Sequence, residues 1–569
     1  MTTVTPSTNS SPVEAGCRIH AELPTASGRA GALDGNRADL SPNDRGKTSK
    51  TGESSNSPAS HAAVAGRYRH RPDDEKSGKP TIHVTPGKIH DAVRDAEIAL
   101  ARSGKYFQRG GRIVQVTLDP HTNDARAYPV GQSALIHGLS AAADWTKYSE
   151  TTLQRKKIDP PQKCAAILHD LSTYEHLPVL KGIARQPYLR PDGTLMMQAG
   201  YDPTTMMYGA FDASEFTIPE VPTRKDAEAA LAELESLLSE FQFAARYDLT
   251  ATLTAILTAA IRPSLSLAPM VHVRAHAPGS GKSCLCELTS AFATSRRNSP
   301  TTFPSDDDEC RKLLLAEYMG SPAVIEFDNL TTDILPHNSL CAALTSEFIS
   351  GRILGSLKTV SVNTRTMLLS SGNNVGPIQD MARRCVTITL DPACEAPAMR
   401  SFKRPDLVQY VLRKRGHFVS LAFTIILAWI RAGRPMSAQR PLAGFSEWSD
   451  LCRQPIAWLT GEDPASSIFE GLNQDPDREL LDRLLTSWHE EFGSRPARVR
   501  EAVAAAQAYG DTNVELREVI HEIAGERAEI NRKKFGWWLR KHVGRLVNGR
   551  KFVRAQHGGS AEAWAVVSA

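Results

Sequence analysis

The spacing of apolar residues changes character several times along the chain, and each change predicts a different kind of element. Up to about residue 80 there is no period: Ser, Thr, Pro, Gly and Asn dominate, and Tyr68 is the only Phe, Tyr or Trp. Such a stretch buries too little apolar surface to offset the entropy of ordering, so residues 1–80 are expected to form a disordered tail. From Thr81, TIHV and then DAVRDAEIAL predict a strand followed by an amphipathic helix ending near Leu100. The alternating arms of YFQRGGRIVQVTL (Tyr106–Leu118), joined at a glycine pair, predict a hairpin. Turn residues then punctuate a mixed α/β region, 81–222.

Helical period follows. Thr223 stands at an N-cap position with Asp226 three residues on, ahead of RKDAEAALAELESLLSEF. A second helix is predicted over Leu249–Ile261, leading into a short strand over Pro269–Ala275 and a helix starting at Ser283. SPAVIEFDNL (Ser321–Leu330) is an apolar strand that ends in Asp328. ISGRILGSLKTVSVNTRTMLLSSGNN (Ile349–Asn374) predicts a hairpin with Gly355 and Ser356 near its turn, then a strand over Thr366–Ser370 running into SGNN. FVSLAFTIILAWI (Phe418–Ile430) is too short to span a bilayer and reads as a buried helix, so no membrane partner is expected. No internal repeat interrupts this order.

Composition adds little to that division. With 569 residues the chain is long enough for three or four domains, and a net charge of +4 is too mild to identify a nucleic-acid partner by itself. The nine cysteines show no paired metal spacing; Cys284 and Cys286 form a lone C-x-C suited to core packing. Scattered thiols and the lack of a signal-peptide pattern lead to an expected cytoplasmic location.

The chemistry is concentrated in VHVRAHAPGSGKSCLCEL (Val271–Leu288). A phosphate-cradling loop has the form G-x-x-x-x-G-K-[ST] between a strand and a helix. Gly281, Lys282 and Ser283 match it, and His276 replaces only the first glycine. Small residues let backbone N–H groups turn toward phosphate oxygens, so Ala277, Pro278, Gly279, Ser280, Gly281 and Cys284 join Lys282 and Ser283 as candidate ATP contacts. Lys282 suits the outer phosphates, and Ser283 suits Mg²⁺. Asp328 follows Lys282 by 46 residues, as the carboxylate of a Walker B strand should, and is the second candidate Mg²⁺ ligand. The next residue, where many such ATPases carry a glutamate to activate water, is Asn329; Glu326 lies two residues before Asp328 on the same strand face, as base or as supporting carboxylate. Asn373 or Asn374, at the tip of a strand, can orient water or sense the γ-phosphate. Arg383 or Arg384, in DMARR, suits an arginine finger.

Walker A, Walker B, a hairpin, SGNN and DMARR in that order resemble the superfamily 3 helicase branch of the AAA+ ATPases. They are most similar to the helicase-like ATPases of prophages, plasmids and integrative elements, the primase-helicase C-terminal ATPase group, which share GTGKS … DN … ATGNN … D-x-x-RR … LD. YLRPDGTLMMQAGYDP (Tyr188–Pro203) resembles the segment preceding that ATPase, and the likeness runs over about Pro178–Pro435. It implies Lys282 and Ser283 on phosphate and Mg²⁺, Asp328 as Walker B acid, Asn373 or Asn374 as sensor 1, and Arg383 or Arg384 as finger. His276 and Asn329 depart from the pattern, and Asn329 leaves the catalytic base unassigned.

The expected fold class is therefore α/β: a P-loop AAA+-like core over 223–400 behind the N-terminal α/β region, then a helical region over 401–500 and a basic winged-helix-like module over 501–569. That last module rests on NRKKFGWWLRKHVGRLVNGRKFVRAQHGG (Asn531–Gly559), which holds nine Lys or Arg and no acidic residue. A helix over Lys533–His542 and a hairpin about Asn548-Gly549 are predicted, with Phe535, Trp537, Trp538, Leu539, Val543, Leu546, Phe552 and Trp564 as a small core. Lys533, Lys534, Arg540, Lys541, Arg545, Arg550 and Lys551 then form a basic face for duplex or forked DNA. Arg352 and Lys358, on the hairpin before SGNN, suit single-stranded DNA in a central channel. The function expected is an ATP-hydrolysing homo-oligomeric motor, a hexamer being one such ring, that acts like a DNA helicase in replication of a mobile element. The alternative is a nucleotide-switched DNA-binding initiator, loader or regulator that does not unwind.

Overall fold

The computed structural model describes residues 78–119, 124–352, 359–394, 397–399, 402–473, 476–508, 513–526, 529–556 and 562–568. All but three residues of the expected tail lie outside this set, as do Gly355, Ser356 and Lys358. The described chain is a mixed α/β structure. At its start, Thr81–Val84 pairs in parallel with Asp144–Ser149, which pairs antiparallel with Gln154–Ile158. Helices Ile89–Arg102, Gln132–Ala142 and Gln162–Asp170 pack on that sheet through Leu100, Leu139, Trp145 and Leu168. The hairpin expected at Tyr106–Leu118 forms, and both Gly110 and Gly111 take positive φ (56° and 70°), a conformation glycine adopts without Cβ strain.

Helix α1 (Arg224–Leu238) starts at the expected cap: the Asp226 carboxylate accepts from the Thr223 N–H at 2.8 Å, and the Thr223 hydroxyl accepts from the Asp226 N–H at 3.3 Å. Helix α2 (Arg246–Ile261) is buried along nearly its whole length and leads to strand β1 (Met270–Ala275), followed by α3 (Lys282–Ala293). Next come α4 (Asp307–Gly320), β2 (Val324–Leu330) and α5 (Asn338–Thr345). A hairpin of β3 (Phe348–Arg352) and β4 (Thr359–Asn363) precedes β5 (Met367–Asn373) and β6 (Cys385–Leu390).

Strands β2, β5, β1 and β6 lie side by side in that order, all parallel. Their apolar runs feed two cores. Leu369, Val271, Val273 and Ile388 face α2 and α3; Leu368, Ile325, Phe327 and Cys385 face α4 and α5. Coverage on both faces is what a parallel sheet requires. The chain leaves β1 toward β2 on one side and leaves β5 toward β6 on the other, so a crevice opens at the carboxyl ends of β1 and β5.

The apolar run at Phe418–Ile430 becomes helix α6 (Arg415–Arg431), packed on α1 and α2. Buried arginines tie these layers together. Arg415 donates to the carbonyls of Ala291, Phe292 and Arg185 and to the Gln186 Oε1. Arg185 pairs with Asp124 at 2.6 Å and also reaches the Ser321 carbonyl, and Arg109 donates to the Tyr318 carbonyl at 2.7 Å. No described helix is long and apolar enough to cross a membrane.

Beyond α6, helices α7 (Pro476–Phe492), α8 (Val499–Ala506), α9 (Val514–Ala524) and α10 (Arg532–His542) enclose a separate core with β7 (Arg550–Gln556) and β8 (Glu562–Ser568). Two sequence expectations are corrected here. The Asn548-Gly549 turn has the positive φ values (46° and 78°) of a hairpin turn, yet it closes only the bridge between Val547 and Arg550. The long antiparallel ladder is β7 with β8, whose connection lies outside the described residues. Trp537 and Leu546 are not core: they are 61% and 53% exposed. Successive helical residues point about 100° apart, and Trp538 takes the inward direction.

One buried group makes this fold sensitive to acid. His272, on β1, is fully buried, with Nδ1 at 2.8 Å from the Ser370 hydroxyl and Nε2 at 2.9 Å from the Val375 carbonyl. Burial pushes its pKa down to about 4, against an opposing pull from the Val375 carbonyl. An unfolded histidine titrates near 6.5, so between pH 6.5 and 4 the unfolded chain binds the extra proton and stability falls as pH drops. The loss is at most about 3 kcal/mol. Thermal unfolding followed by circular dichroism should show a shallower decline over that window for His272→Gln than for the wild type; parallel curves would exclude His272 as the source.

Candidate functional site

The loop from His276 to Gly281 connects β1 to α3 and sits at the sheet's carboxyl edge. Its turn depends on glycine. Gly279 and Gly281 have φ of 72° and 94°, and a Cβ on Gly281 would also meet the Phe241 ring at 3.3 Å. Inside the turn, the Ala277 carbonyl accepts from the Ser280 hydroxyl at 2.5 Å and from Lys282 Nζ at 3.4 Å. Pro278 and Gly279 in the turn, and Ser283 and Cys284 in the first turn of α3, are exposed.

Four of the residues singled out in the sequence converge here. Lys282 Nζ donates to the Asn373 Oδ1 at 2.6 Å, and the Ser283 hydroxyl donates to Asp328 Oδ1 at 3.0 Å. Lys282 reads as a loop charge in the sequence, but as the first residue of α3 it is only 8% exposed. Burial lowers its pKa, and the Asp328 carboxylate pulls the other way. The two asparagines, interchangeable in the sequence, have separate partners. Asn373 takes the lysine; Asn374, at φ 53°, accepts from His276 Nδ1–H through its Oδ1 at 2.8 Å and donates its Nδ2 to the His276 carbonyl at 3.4 Å. The departure at the loop's first position thus becomes a clasp between the loop and the tip of β5.

Ser371 was not visible as a site residue in the sequence, where a serine in SSGNN carries no signal. Its hydroxyl donates to Asp328 Oδ1 at 2.5 Å and accepts from the Asn329 N–H at 3.3 Å. The ladder between β2 and β5 shifts register between Phe327 and Leu330, and Asn329 turns outward at φ 55°. Glu326 is 2% exposed, with Asn298 Nδ2 at 3.3 Å. Burial pushes its pKa up to about 7; the Asn298 bond lowers it and the Asp328 charge raises it. A hydroxyl and a carboxylate 3.0 Å apart beside the glycine turn form a hard oxygen donor pair, a chemistry that suits a divalent cation such as Mg²⁺.

The other expected site residues lie elsewhere. Arg383 and Arg384 end a 3₁₀ turn, Gln379–Arg384, and both pair with Asp380, at 2.5 Å and 2.9 Å. The Arg383 side chain is 48% exposed and that of Arg384 only 9%. Neither pairs with the loop residues of its own chain. Arg352 is exposed where β3 runs out toward the tip, opposite Thr359. Lys358 lies outside the described residues.

On α10, Asn531 caps the helix by accepting from the N–H groups of Lys533 and Lys534 at 3.0 Å and 3.1 Å. Lys533, Lys534, Arg540 and Lys541 are exposed, while Arg545, Arg550 and Lys551 are half-buried. Arg540 pairs with Glu562 at 2.9 Å and Lys541 with Asp477 at 3.3 Å. Of the seven basic residues singled out on this module, four are therefore exposed, and two of those four are already paired with carboxylates.

No protein-family model matches the chain, and no curated protein sequence does. Among solved structures, the apo A form of the NrS-1 C-terminal region is similar at 11% identity and a TM-score of 0.34, covering 80% of this chain and 97% of that one. JCV helicase, solved with a thiazolopyridinyl-phenoxyphenyl acetamide, is similar at 14% identity and a TM-score of 0.19, covering 42% and 68%. At such scores the likeness identifies neither family nor activity.

The Ser371 bond can be tested without assuming any ligand. Ser371→Ala removes a donor from a carboxylate and strands the Asn329 N–H, a loss of about 1–3 kcal/mol. Urea unfolding should show a lower midpoint at unchanged slope. An unchanged midpoint would mean that Ser371 does not hold Asp328.

Proposed function

We propose that the chain binds ATP with Mg²⁺ at the loop 276–283, hydrolyses it, and works as an oligomeric, DNA-helicase-like motor. One observation carries this reading: two bonded pairs, Lys282 with Asn373 and Ser283 with Asp328, lie at the carboxyl ends of three neighbouring parallel strands. Phosphates would sit on the N–H groups of the glycine turn at the start of α3. Lys282 would trade Asn373 for a phosphate oxygen, leaving that amide to orient water. Ser283 and Asp328 would hold Mg²⁺, which supplies charge neutralisation on the phosphates. Within this reading the core is a P-loop ATPase of AAA+ type and the C-terminal unit a winged-helix-like DNA-binding module. The motif order supports a role in replication of a mobile element.

Arg383 favours an oligomer. Its side chain is half exposed and bonded to Asp380 rather than to the loop of its own chain, so it suits a finger presented to a neighbouring subunit, with the buried Arg384 also paired to Asp380. The alternative, a nucleotide-driven switch on DNA, draws support from Asn329, which puts no acid beside Asp328. Strand displacement on a forked duplex, measured beside ATP turnover, separates the two. A motor displaces; a switch hydrolyses without displacing.

Lys282→Ala should abolish ATP turnover in a phosphate-release assay while thermal unfolding stays cooperative, because the lost Asn373 bond is offset by removing a desolvated charge. Full turnover in this variant would end the ATPase reading. Arg383→Ala should lower turnover by about 10³- to 10⁵-fold. Mixing it with Lys282→Ala protein should restore part of the rate, since a Lys282→Ala subunit still offers a finger to an intact loop. If no mixing ratio restores turnover, the finger is not given in trans.

A further inference from the structure

Helix α10 presents an aromatic ring to solvent in the middle of a cationic stripe. Its inner face, Phe535, Trp538 and Leu539, is buried in the C-terminal core, whereas Trp537 is 61% exposed. Leaving an indole in water forgoes stabilisation on the order of 2 kcal/mol, and the exposed face of a helix is ordinarily polar. Lys533 and Lys534 stand one turn before Trp537, and Arg540 and Lys541 one turn after, so cations bracket the ring on both sides. Among the described residues, Arg532, Lys533, Lys534 and Trp537 have no side-chain partner, in contrast to Arg540 and Lys541.

We propose that Trp537 is a base-stacking platform, and that this face of α10 binds single-stranded nucleic acid, with the indole against an unpaired base and the lysines on the flanking phosphates. The proposal rests on the nucleic-acid role given to this module above and specifies which form of nucleic acid it takes. Every base offers a π-face, so stacking needs no sequence, and basic residues beside it follow the backbone. A paired duplex fits less well, because the ring would have to unstack a base step at a cost of a few kcal/mol. A second copy of the chain fits poorly: it would oppose the unpaired Lys533 and Lys534 with their own copies inside one Debye length of about 8 Å. A lipid surface needs a continuous apolar helix face, and that face of α10 is already spent on the core.

The test uses the full chain and labelled oligothymidylate, an abasic strand of equal length, a blunt duplex and phosphatidylserine vesicles. Trp537→Ala should weaken binding to oligothymidylate by about 5- to 100-fold, with Trp537→Phe falling between it and wild type. The abasic strand should bind wild type and Trp537→Ala alike, and duplex binding should not change. Irradiating 5-iodouracil oligonucleotides should crosslink at Trp537, which reads the contact directly even if a second site contributes affinity. Trp537 is exposed, so the variants should unfold at the wild-type temperature. Loss of affinity in Lys533→Ala/Lys534→Ala with neither a Trp537→Ala effect nor a crosslink would overturn stacking and leave the nucleic-acid reading standing. No binding of wild type to any oligonucleotide would overturn both. Vesicle binding that depends on Trp537, with oligothymidylate binding unaffected, would assign the face to a membrane surface instead.

Discussion

The parallel register that sets Ala275 of β1 beside Asn373 of β5 is the constraint on which the candidate site depends. Because side chains alternate along a strand, a slip of one residue would turn Asn373 away from the loop and bring Gly372 into its place. The same register lets the Asn374 N–H reach the Ala275 carbonyl at 3.2 Å and brings its side chain to His276. It is fixed from both faces, since Leu368 and Leu369 belong to different cores and exchanging them would empty one and overfill the other. Packing therefore decides which amide meets the lysine.

Within the site, attraction and desolvation are closely matched. Lys282 is largely buried, beside one carboxylate and one amide, so its charge is held mostly by neutral groups. Glu326 is buried two residues from Asp328, close enough for the Asp328 charge to disfavour ionisation of Glu326, on top of its burial. A site of this kind is poorly neutralised alone. Bound phosphate and a divalent cation would each repair one of those deficits, which is a physical reason for such groups to survive in an otherwise apolar sheet.

How much of this was legible depended on how local each signal was. The Thr223 and Asp226 cap needs only four residues, and it formed as read. The strand, glycine turn and helix around Lys282 are also contiguous, so their order was plain. The partners of Asn373 and Asn374 were not, because adjacent residues in a strand have the same composition signal and differ only in direction. Ser371 was missed for a related reason: what matters is its position opposite Asp328, across two strands 43 residues apart in sequence. At the C-terminus the Asn548-Gly549 chemistry was read correctly as a turn, but its extent was set by the distant β8, which is paired with β7 instead. The exposure of Trp537 was hidden because a Trp pair looks like core whichever member points inward.

Arg415 makes α3, the helix that follows the glycine turn, something other than an independent spring. One fully buried guanidinium holds two carbonyls at the far end of α3, one at Arg185 and the amide of Gln186, while its own backbone belongs to α6. Its charge has no carboxylate in ion-pair distance among the described residues, so each of those four bonds does part of the work of solvation. Sliding any of the three segments past the others would expose an unsolvated cation to an apolar interior, at a cost of several kcal/mol. The guanidinium therefore acts as a shear pin. A displacement at one end of α3 is thereby coupled to the neighbouring segments through one side chain as well as through the apolar core they share.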